Sequence, residues 1–184
     1  MTARKKRPAM PGGKTSSDVE AMIRVDHAGE FGAVRIYEGQ LAVLGGRKSE
    51  TADAIRKMAK QEQEHLAAFD TIINARRVRP TALEPVWRVA GFALGAATAL
   101  LGEKAAMACT AAVEDVIDEH YAQQIARLDN DPALKERIEK FRADEIAHKN
   151  EALEHGAEEA PAYKLLSETI KAGCRLAIKL SERL

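Results

Sequence analysis

Two Glu-x-x-His motifs combine groups that could bind metal. They are Glu62–His65 and Glu145–His148, and in each motif the carboxylate and the imidazole are three residues apart. Residues three apart share one face of a helix, so each motif can direct both groups toward one point. Mixed carboxylate and imidazole ligands suit iron or manganese. One such motif means little, because a pattern this short recurs by chance, but the chain carries two.

Each motif lies on an apolar helical stripe and follows another glutamate that lies on a stripe of its own. Glu30 precedes Glu62 by 32 residues, and Glu114 precedes Glu145 by 31. The chain therefore has the pattern of a repeated helix pair. Two such pairs facing each other would bring four carboxylates and two imidazoles to one level of a bundle core. The candidate metal ligands are Glu30, Glu62, His65, Glu114, Glu145 and His148.

Burying these charges requires compensation. A buried ionised carboxylate costs several kcal/mol, roughly, unless it is paired, and four together also repel one another. Partial protonation relieves some of this cost, and two divalent or trivalent metal ions relieve it better. One Glu from each of two helices and Glu-x-x-His from two others is the ligand set of ferritin-like di-iron and di-manganese bundles. The alternative is a set of buried ion pairs or solvated faces, but the nearby basic residues fall off the stripes: Lys57, Lys60, Arg142 and Lys149.

Capping and helix-breaking residues divide the chain into helices. No alternating strand pattern of useful length is present, so the fold class is all-α. We predict a ferritin-like four-helix bundle with an additional interfacial helical segment and a C-terminal helix, in a single di-iron domain over residues 18–184. The predicted helices run from Ser17 or Asp18 to Gly45, from Ser49 or Thr51 to residues 76–79, from a capping box at Thr81–Glu84, from Glu103 to Leu128, from Asn130–Pro132 to Gly156, and from Pro161 onward.

Charge and cysteine content exclude some classes of function. The 28 basic and 28 acidic residues give no net charge, which argues against nucleic acid as a partner. Cys109 and Cys174 are isolated, form no paired metal motif and fit a reduced cytoplasmic setting. Residues 1–17 are basic and then rich in Pro, Gly and Ser, which predicts a disordered tail. This tail is either simply solvated or in contact with an anionic membrane surface.

An uncharged, mostly apolar stretch covers residues 89–102. It is too short to span a bilayer as a helix, so it indicates a buried or interfacial segment. Trp87 and Arg88 at its edge suit an interface between membrane and water. The last helix also has an apolar side. Peripheral membrane contact and closure of the core by these two helices both remain open on these patterns.

The same residues carry a resemblance to a known family. The segments that carry it are "RVDHAGEFGAVRIYEGQLAVLG", "KMAKQEQEHLAAFD", "RVRPTALEPVWRVAGFALGAATALLGEKAAMACTAAVE" and "APAYKLLSETIKAGCRLAIKLSERL". They resemble the demethoxyubiquinone hydroxylase family over roughly residues 20–184. The family's six metal ligands map onto the six candidates above. No ligand position departs from the family's pattern.

The resemblance implies a monooxygenase of ubiquinone biosynthesis. Such an enzyme hydroxylates a polyprenylated demethoxy-benzoquinol ring with O2 and two electrons, uses two iron ions per chain, and has NADH as a candidate electron donor. Residues 86–101 and the last helix are the expected doorway for the substrate's tail. A lipid-binding accessory protein is an expected partner. The expected location is the cytoplasmic face of the inner membrane, peripherally bound, or the matrix side of the mitochondrial inner membrane in a eukaryote. Residues 1–17 show no long transit peptide, which favours a bacterial protein or a mature form.

Several residues outside the ligand set receive predicted roles. By similarity to the family, His120 and Tyr121 hydrogen-bond the quinone ring or relay electrons and protons. The alternative is a packed tyrosine and a surface histidine. Asp26 and His27 are expected to orient the metal ligands, with other carboxylates competing for that role: Asp115, Asp118 and Asp144. His155 is expected to end its helix.

Two other functions use similar features. A ferritin-like protein for iron storage or peroxide scavenging would have the same site, but the uncharged segment 89–102 counts against its polar exterior. A membrane-docked quinone- or lipid-binding protein could hold a structural metal. Oxygen uptake coupled to quinol turnover separates this last function from the enzyme.

Overall fold

Six α-helices and one short 3-10 turn make up the described residues, 17–184, in a computed structural model. The predicted tail lies outside these residues except for Ser17, which begins the first helix. No strand occurs between residues 17 and 184, which confirms the predicted all-α, ferritin-like class. The helices are α1 (Ser17–Leu44), α2 (Glu50–Arg76), α3 (Glu84–Leu100), α4 (Glu103–Ile125), α5 (Pro132–Glu154) and α6 (Tyr163–Ser181), and the 3-10 turn is Ala157–Glu159.

Local sequence signals set most helix ends. The Ser49 hydroxyl accepts a hydrogen bond from the Ala52 backbone N–H at 3.2 Å and caps α2. Asp131 caps α5 by accepting from the Leu134 N–H at 3.3 Å. The predicted capping box before α3 is wrong, because the residue at the cap position is Leu83. His155 follows α5 at its C-cap, as predicted.

Two helix hairpins form the bundle. α1 packs against α2, and α4 packs against α5. Two apolar clusters fill the core at different levels along the bundle axis. One contains Tyr37, Leu44, Ile55, Met58, Met107 and Ala152, and the other contains Ile23, Phe69, Ile73, Leu128, Leu134 and Phe141. Along each of α1, α2, α4 and α5, the candidate ligands lie between residues of one cluster and residues of the other.

The remaining helices cover the outside of the bundle. α6 packs on α4, and α3 packs on α1. The α1–α3 contact is close because glycines face backbone atoms. A Cβ atom added to Gly95 would lie 1.9 Å from the Ile36 carbonyl oxygen, and one added to Gly39 would lie 2.1 Å from the Phe92 carbonyl oxygen. Among residues 17–184, no helix has the length and apolar content needed to cross a membrane.

Candidate metal centre

The six predicted ligands meet in the middle of the bundle. Glu30 comes from α1, Glu114 from α4, and the two Glu-x-x-His motifs come from α2 and α5. None of the six is more than 2% exposed. Because apolar clusters lie on both sides of them, these ionisable groups are screened from water along the bundle axis.

The side chains form two adjacent groups that share two carboxylates. Within each group, the potential ligand atoms all lie within 4.8 Å of one another. Glu62 and Glu145 belong to both groups, so their carboxylates lie where they could bridge two ions. The first group is Glu30, Glu62, His65 and Glu145, and the second is Glu62, Glu114, Glu145 and His148.

Both imidazoles point their Nδ1 atoms into the cluster. His65 Nδ1 is 3.1 Å from Glu145 Oε1, and His148 Nδ1 is 3.0 Å from Glu62 Oε1. On the outer side, His65 Nε2 is 3.2 Å from Asp144 Oδ2, and His148 Nε2 is 3.1 Å from Gln61 Oε1. Those oxygens accept, so each Nε2 donates its hydrogen outward. In the neutral rings Nδ1 is left with a free lone pair for an ion.

The cluster is rich in buried acceptors that lack donors. Both histidine Nδ1 atoms are near carboxylate oxygens but form no hydrogen bond with them. Buried polar atoms are normally satisfied, and a set made of carboxylate oxygens and imidazole nitrogens is satisfied by cations. These oxygen and nitrogen atoms therefore fit the ligands of two metal ions. The oxygens without a hydrogen-bond partner are Glu30 Oε2, Glu114 Oε2 and both oxygens of Glu62 and of Glu145.

Burial and the close packing of the carboxylates shift the pKa values of the glutamates and histidines in the cluster. Burial, followed by repulsion from Glu145, raises the pKa of Glu62 and of Glu114. Burial alone lowers the pKa of His65, but its contacts with Glu145 and Glu30 outweigh burial and raise that pKa to about 10. Burial lowers the pKa of His148. Protons therefore compensate the charge in the metal-free cluster, and metal binding must displace them.

Two tyrosines connect the two hairpins by hydrogen bonds to Glu30 and Glu114, the glutamates outside the Glu-x-x-His motifs. Tyr121 donates to Glu30 Oε1, and Tyr37 donates to Glu114 Oε1 at 2.8 Å. Both hydroxyls stay protonated because burial raises their pKa values well above 10. Each tyrosine follows one glutamate by seven residues and binds the glutamate of the other hairpin. Tyr121 is thus buried and hydrogen-bonded beside the candidate metal centre.

The expected orienting roles of Asp26 and His27 are wrong. Neither side chain hydrogen-bonds to any of the six candidate ligands. Asp26 Oδ1 accepts from Gln124 Nε2 at 2.6 Å and lies 3.3 Å from His120 Nε2, while His27 Nε2 lies 3.0 Å from Asp70 Oδ1. Spacing placed both residues near Glu30 along α1, but the side chains bind across the bundle at other levels.

Of the competing carboxylates, Asp144 alone binds a candidate ligand. Asp115 instead pairs with Lys149 and Lys171, and Asp118 accepts from Arg142 Nε at 2.6 Å.

Sequence reasoning missed Gln61 and the role of Tyr37. The sequence contains a signal for both. The two copies of the repeated helix pair, which we call half-repeats, match at positions outside the Glu-x-x-His motifs. Gln61 and Asp144 each directly precede a motif glutamate, and each binds the histidine of the other motif. The identical seven-residue step from glutamate to tyrosine could likewise have predicted Tyr37.

An apolar cavity of about 430 Å³ reaches the site from one side, between α1, α3, α4 and α6. Its walls carry small and aliphatic side chains, and its polar groups include Asp26, Glu30, His120 and Tyr121. Where α3 and α6 approach each other, Trp87 Nε1 donates to Ser181 Oγ at 3.1 Å. The cavity can therefore hold an apolar molecule with a polar end near Glu30.

Known proteins resemble this chain over most of its length. The family model described as "Ubiquinone biosynthesis protein COQ7" matches residues 17–181. A 3-demethoxyubiquinol 3-hydroxylase of Rhodospirillum rubrum is 56% identical over 166 residues, covering 90% of this chain and 78% of the relative. A mitochondrial NADPH-dependent 3-demethoxyubiquinone 3-hydroxylase of Homo sapiens is 54% identical over 171 residues, covering 90% and 78%. A mitochondrial 5-demethoxyubiquinone hydroxylase of Saccharomyces cerevisiae is 39% identical over 182 residues, covering 90% and 78%.

Proposed function

The chain belongs to the COQ7 family of ubiquinone biosynthesis proteins, and from this premise we propose that it is a 3-demethoxyubiquinol 3-hydroxylase. It inserts one oxygen atom of O2 into the ring of a polyprenylated demethoxy-benzoquinol and uses two electrons to reduce the other oxygen atom to water. The family assignment agrees with the resemblance predicted from the sequence and favours the hydroxylase over an iron-storage or scavenging role.

One observation carries the proposal. A buried cluster of carboxylates and imidazoles, whose inward atoms have no hydrogen-bond partner, lies at the polar end of an apolar cavity. The cluster supplies four carboxylates and two imidazoles, and the cavity has room for a ring and the first part of an apolar tail. A storage protein has no need of an apolar cavity beside its metal. A lipid carrier has no need of unpartnered buried carboxylates, each of which costs stability.

Two iron ions are the proposed cofactor. The first ion would be held by Glu30, His65 and the two shared glutamates, and the second by Glu114, His148 and the same shared pair. When bound there, iron supplies the reducing electrons and the open coordination positions that O2 activation requires. The protein holds both imidazoles in the ligating direction, steadies the outer carboxylates through Tyr37 and Tyr121, and excludes bulk water by burial.

The cavity receives the quinol ring beside Glu30. Its polar end contains His120 and Tyr121, the two residues proposed to contact the ring or to relay protons and electrons. The apolar tail leaves between α3 and α6, near the Trp87–Ser181 hydrogen bond. This proposed exit uses the doorway predicted from residues 86–101 and the last helix.

The outer surface of α3 and α6 suits a membrane. Ten large apolar side chains are strongly exposed in residues 17–184, and all but Ile146 lie on these two helices or just after them. This clustering supports peripheral binding to a membrane. The proposed side is the one that the resemblance implies: the cytoplasmic face of the inner membrane, or the matrix side of the mitochondrial inner membrane in a eukaryote. The nine residues are Val86, Val89, Phe92, Leu100, Leu101, Leu165, Leu176, Leu180 and Leu184.

Electrons come from a reduced nicotinamide nucleotide in this proposal. The sequence resemblance favours NADH, and the printed name of the human relative includes "NADPH-dependent". A lipid-binding accessory protein that delivers the substrate stays a prediction from the resemblance.

The test combines metal loading with product analysis. The chain is loaded with 57Fe(II) without oxygen, examined by Mössbauer spectroscopy, and then given a short-tailed demethoxy-quinol and 18O2. We expect two irons per chain and one 18O atom in the ring of the product. Glu145→Ala and His148→Ala should lose iron and activity while keeping their helical content.

His155→Ala is the matched control, because this histidine is one heptad beyond His148 and contacts Thr51 rather than the cluster. It should keep both irons and full product formation. Hydroxylated product from iron-free Glu145→Ala, or unlabelled oxygen in the product ring, would contradict the proposed function.

A further inference from the structure

Asp26 is a buried carboxylate for which neither the metal centre nor the packing accounts. It is 2% exposed and lies in the cavity wall at the polar end, one helical turn before Glu30. Its Oδ1 atom accepts from Gln124 at 2.6 Å and lies 3.3 Å from His120 Nε2. Its Oδ2 atom has no hydrogen-bond partner. A buried acceptor without a donor is costly, and a donor on a molecule in the cavity would satisfy it.

The internal repeat supplies a comparison within the same chain. Asp26 lies four residues before Glu30, and Thr110 lies four residues before Glu114. Gln124 and Gln40 are also matched, each ten residues after one of these glutamates. Gln40 Nε2 donates to Thr110 Oγ1 at 3.3 Å, just as Gln124 donates to Asp26.

The two matched positions differ in charge and surroundings. The half-repeat with Thr110 makes the same glutamine contact with a neutral hydroxyl, so packing alone does not require a carboxylate. The half-repeat with Asp26 borders the cavity and adds His120 beside the carboxylate. The extra acceptor therefore occurs on the side of the bundle that a ligand can reach.

We propose that Asp26 Oδ2 accepts a hydrogen bond from a ring hydroxyl of the bound substrate, and that the site thereby selects the quinol over the quinone. The proposal rests on the function proposed above. A quinol hydroxyl can donate to a carboxylate, whereas a quinone carbonyl can only accept and would place two acceptors face to face. Gln124 and His120 fix Oδ1, which leaves Oδ2 for the ligand. Leaving this buried acceptor unpaired is costly, which predicts a preference of about 10- to 100-fold for the quinol.

Binding is measured directly through Trp87, the single tryptophan of the chain and part of the cavity wall. The full chain is loaded with zinc, which neither oxidises nor reduces the ring, and is titrated without oxygen while fluorescence is recorded. Three short-tailed probes are compared: the demethoxy-quinol, the corresponding quinone, and the dimethyl ether of the quinol. The ether has the reduced ring but no hydroxyl donor.

We expect the wild-type chain to bind the quinol about 10- to 100-fold more tightly than the quinone or the ether. Asp26→Thr copies the residue of the other half-repeat, and it should reduce both ratios to near one by weakening quinol binding alone. Asp26→Asn keeps the side-chain shape and should lower the ratios in the same direction. Thr110→Ser is the matched buried control and should leave them unchanged.

A purely structural role for Asp26 would weaken all three probes together and leave the ratios intact, which would overturn the proposal. Equal binding of quinol and ether to the wild-type chain would overturn it as well, while the proposed hydroxylase function would stand. Failure of the wild-type chain to bind any of the three probes would instead contradict the proposed substrate. Circular dichroism melting of both Asp26 variants verifies that the compared proteins are folded.

Discussion

Gln61 and Asp144 determine how the two imidazoles face the candidate metal centre. Each binds the Nε2 atom of the histidine on the opposite motif helix, at 3.1 Å and 3.2 Å. This contact fixes the ring orientation and keeps Nδ1 available. Groups that hold a metal-bound histidine from behind commonly contribute 10- to 100-fold in metal affinity.

Gln61→Leu should therefore weaken iron binding by about 10- to 100-fold, because His148 loses the acceptor that orients it. Competition with a chelator of known affinity for Fe(II) measures the change. Lys60→Leu, at the neighbouring exposed position, is the control and should bind iron as the wild type does. Equal affinity in Gln61→Leu and Lys60→Leu would remove Gln61 from this role.

Cys174 offers a chemical measure of access to the cavity. It lines the cavity, and burial raises the pKa of its thiol to about 11; burial raises that of Cys109 to about 12. Only the thiolate reacts with iodoacetamide, and below its pKa the thiolate fraction rises tenfold per pH unit. Labelling of Cys174 should accelerate about tenfold per unit from pH 7 to pH 9.

Peptide mass spectrometry assigns the labelled residue. Cys109, which is completely buried, should stay unlabelled in the folded chain, and Cys174→Ser should abolish labelling. A bound quinol analogue should slow the labelling of Cys174. A rate independent of pH, or labelling of both thiols at one rate, would indicate reaction through unfolding instead.

At the scale of helices, α3 depends on glycine. Only four of its residues are buried, and two of them are Gly91 and Gly95. A Cβ atom on Gly95 would lie 1.9 Å from the Ile36 carbonyl oxygen, and this obstacle is backbone rather than a flexible side chain. The α1–α3 contact therefore tolerates no side chain at this position without separation of the helices.

Gly95→Ala should destabilise the chain by about 1–3 kcal/mol or more, as overpacking does, despite the better helix propensity of alanine. For a chain of this size, we expect the melting temperature to fall by about 2–12 °C. Thermal melting followed by circular dichroism measures it. Gly29→Ala is the control in α1, where the added Cβ meets nothing within 4 Å, and it should melt at or above the wild-type temperature. Equal melting of both variants would contradict the packing argument.

Helix positions and the convergence of the six side chains could be predicted because they depend on local spacing. A glutamate on an apolar stripe must point inward, and caps such as Ser49 and Asp131 mark helix starts within the chain. The same spacing does not tell which side chain lies across the bundle. For that reason the partners of Asp26 and His27 were wrongly predicted, and the contact of Gln61 with His148 was missed.

The glycine contacts of α3 escaped prediction for a related reason. The sequence shows that glycines occur in an apolar segment, but not that Gly95 faces the backbone of α1. Close approach of two helices depends on their crossing geometry, which local sequence does not encode.

For the molecule as a whole, exposed apolar side chains are concentrated on one pair of helices. Leu100 is 74% exposed and Leu176 is 58% exposed, on α3 and α6 respectively. Ile146 on α5 is the single strongly exposed large apolar side chain elsewhere in residues 17–184, at 36%. In the proposed membrane-bound state, this asymmetry would orient α3 and α6 toward the lipid surface.

The double variant Leu100→Glu/Leu176→Glu should reduce binding to phospholipid vesicles at least about tenfold, because two apolar anchors become charged. Flotation through a density gradient measures the bound fraction. Ile146→Glu makes the same change away from these helices and should leave the bound fraction unchanged. An equal decrease of the bound fraction in the double variant and in Ile146→Glu would mean that added charge weakens binding wherever it is placed.

The glycine contacts between α1 and α3 also decide how a displacement spreads through the molecule. Because α3 and α1 are in backbone contact at these glycines, a displacement of α3 toward α1 would have to move α1 as well. Glu30 is also on α1, two residues before Gly32, whose carbonyl oxygen faces Gly91. A load on the outer surface of α3 would therefore reach the helix that holds the Glu30 carboxylate, and the distances between the buried glutamates would depend on what binds outside.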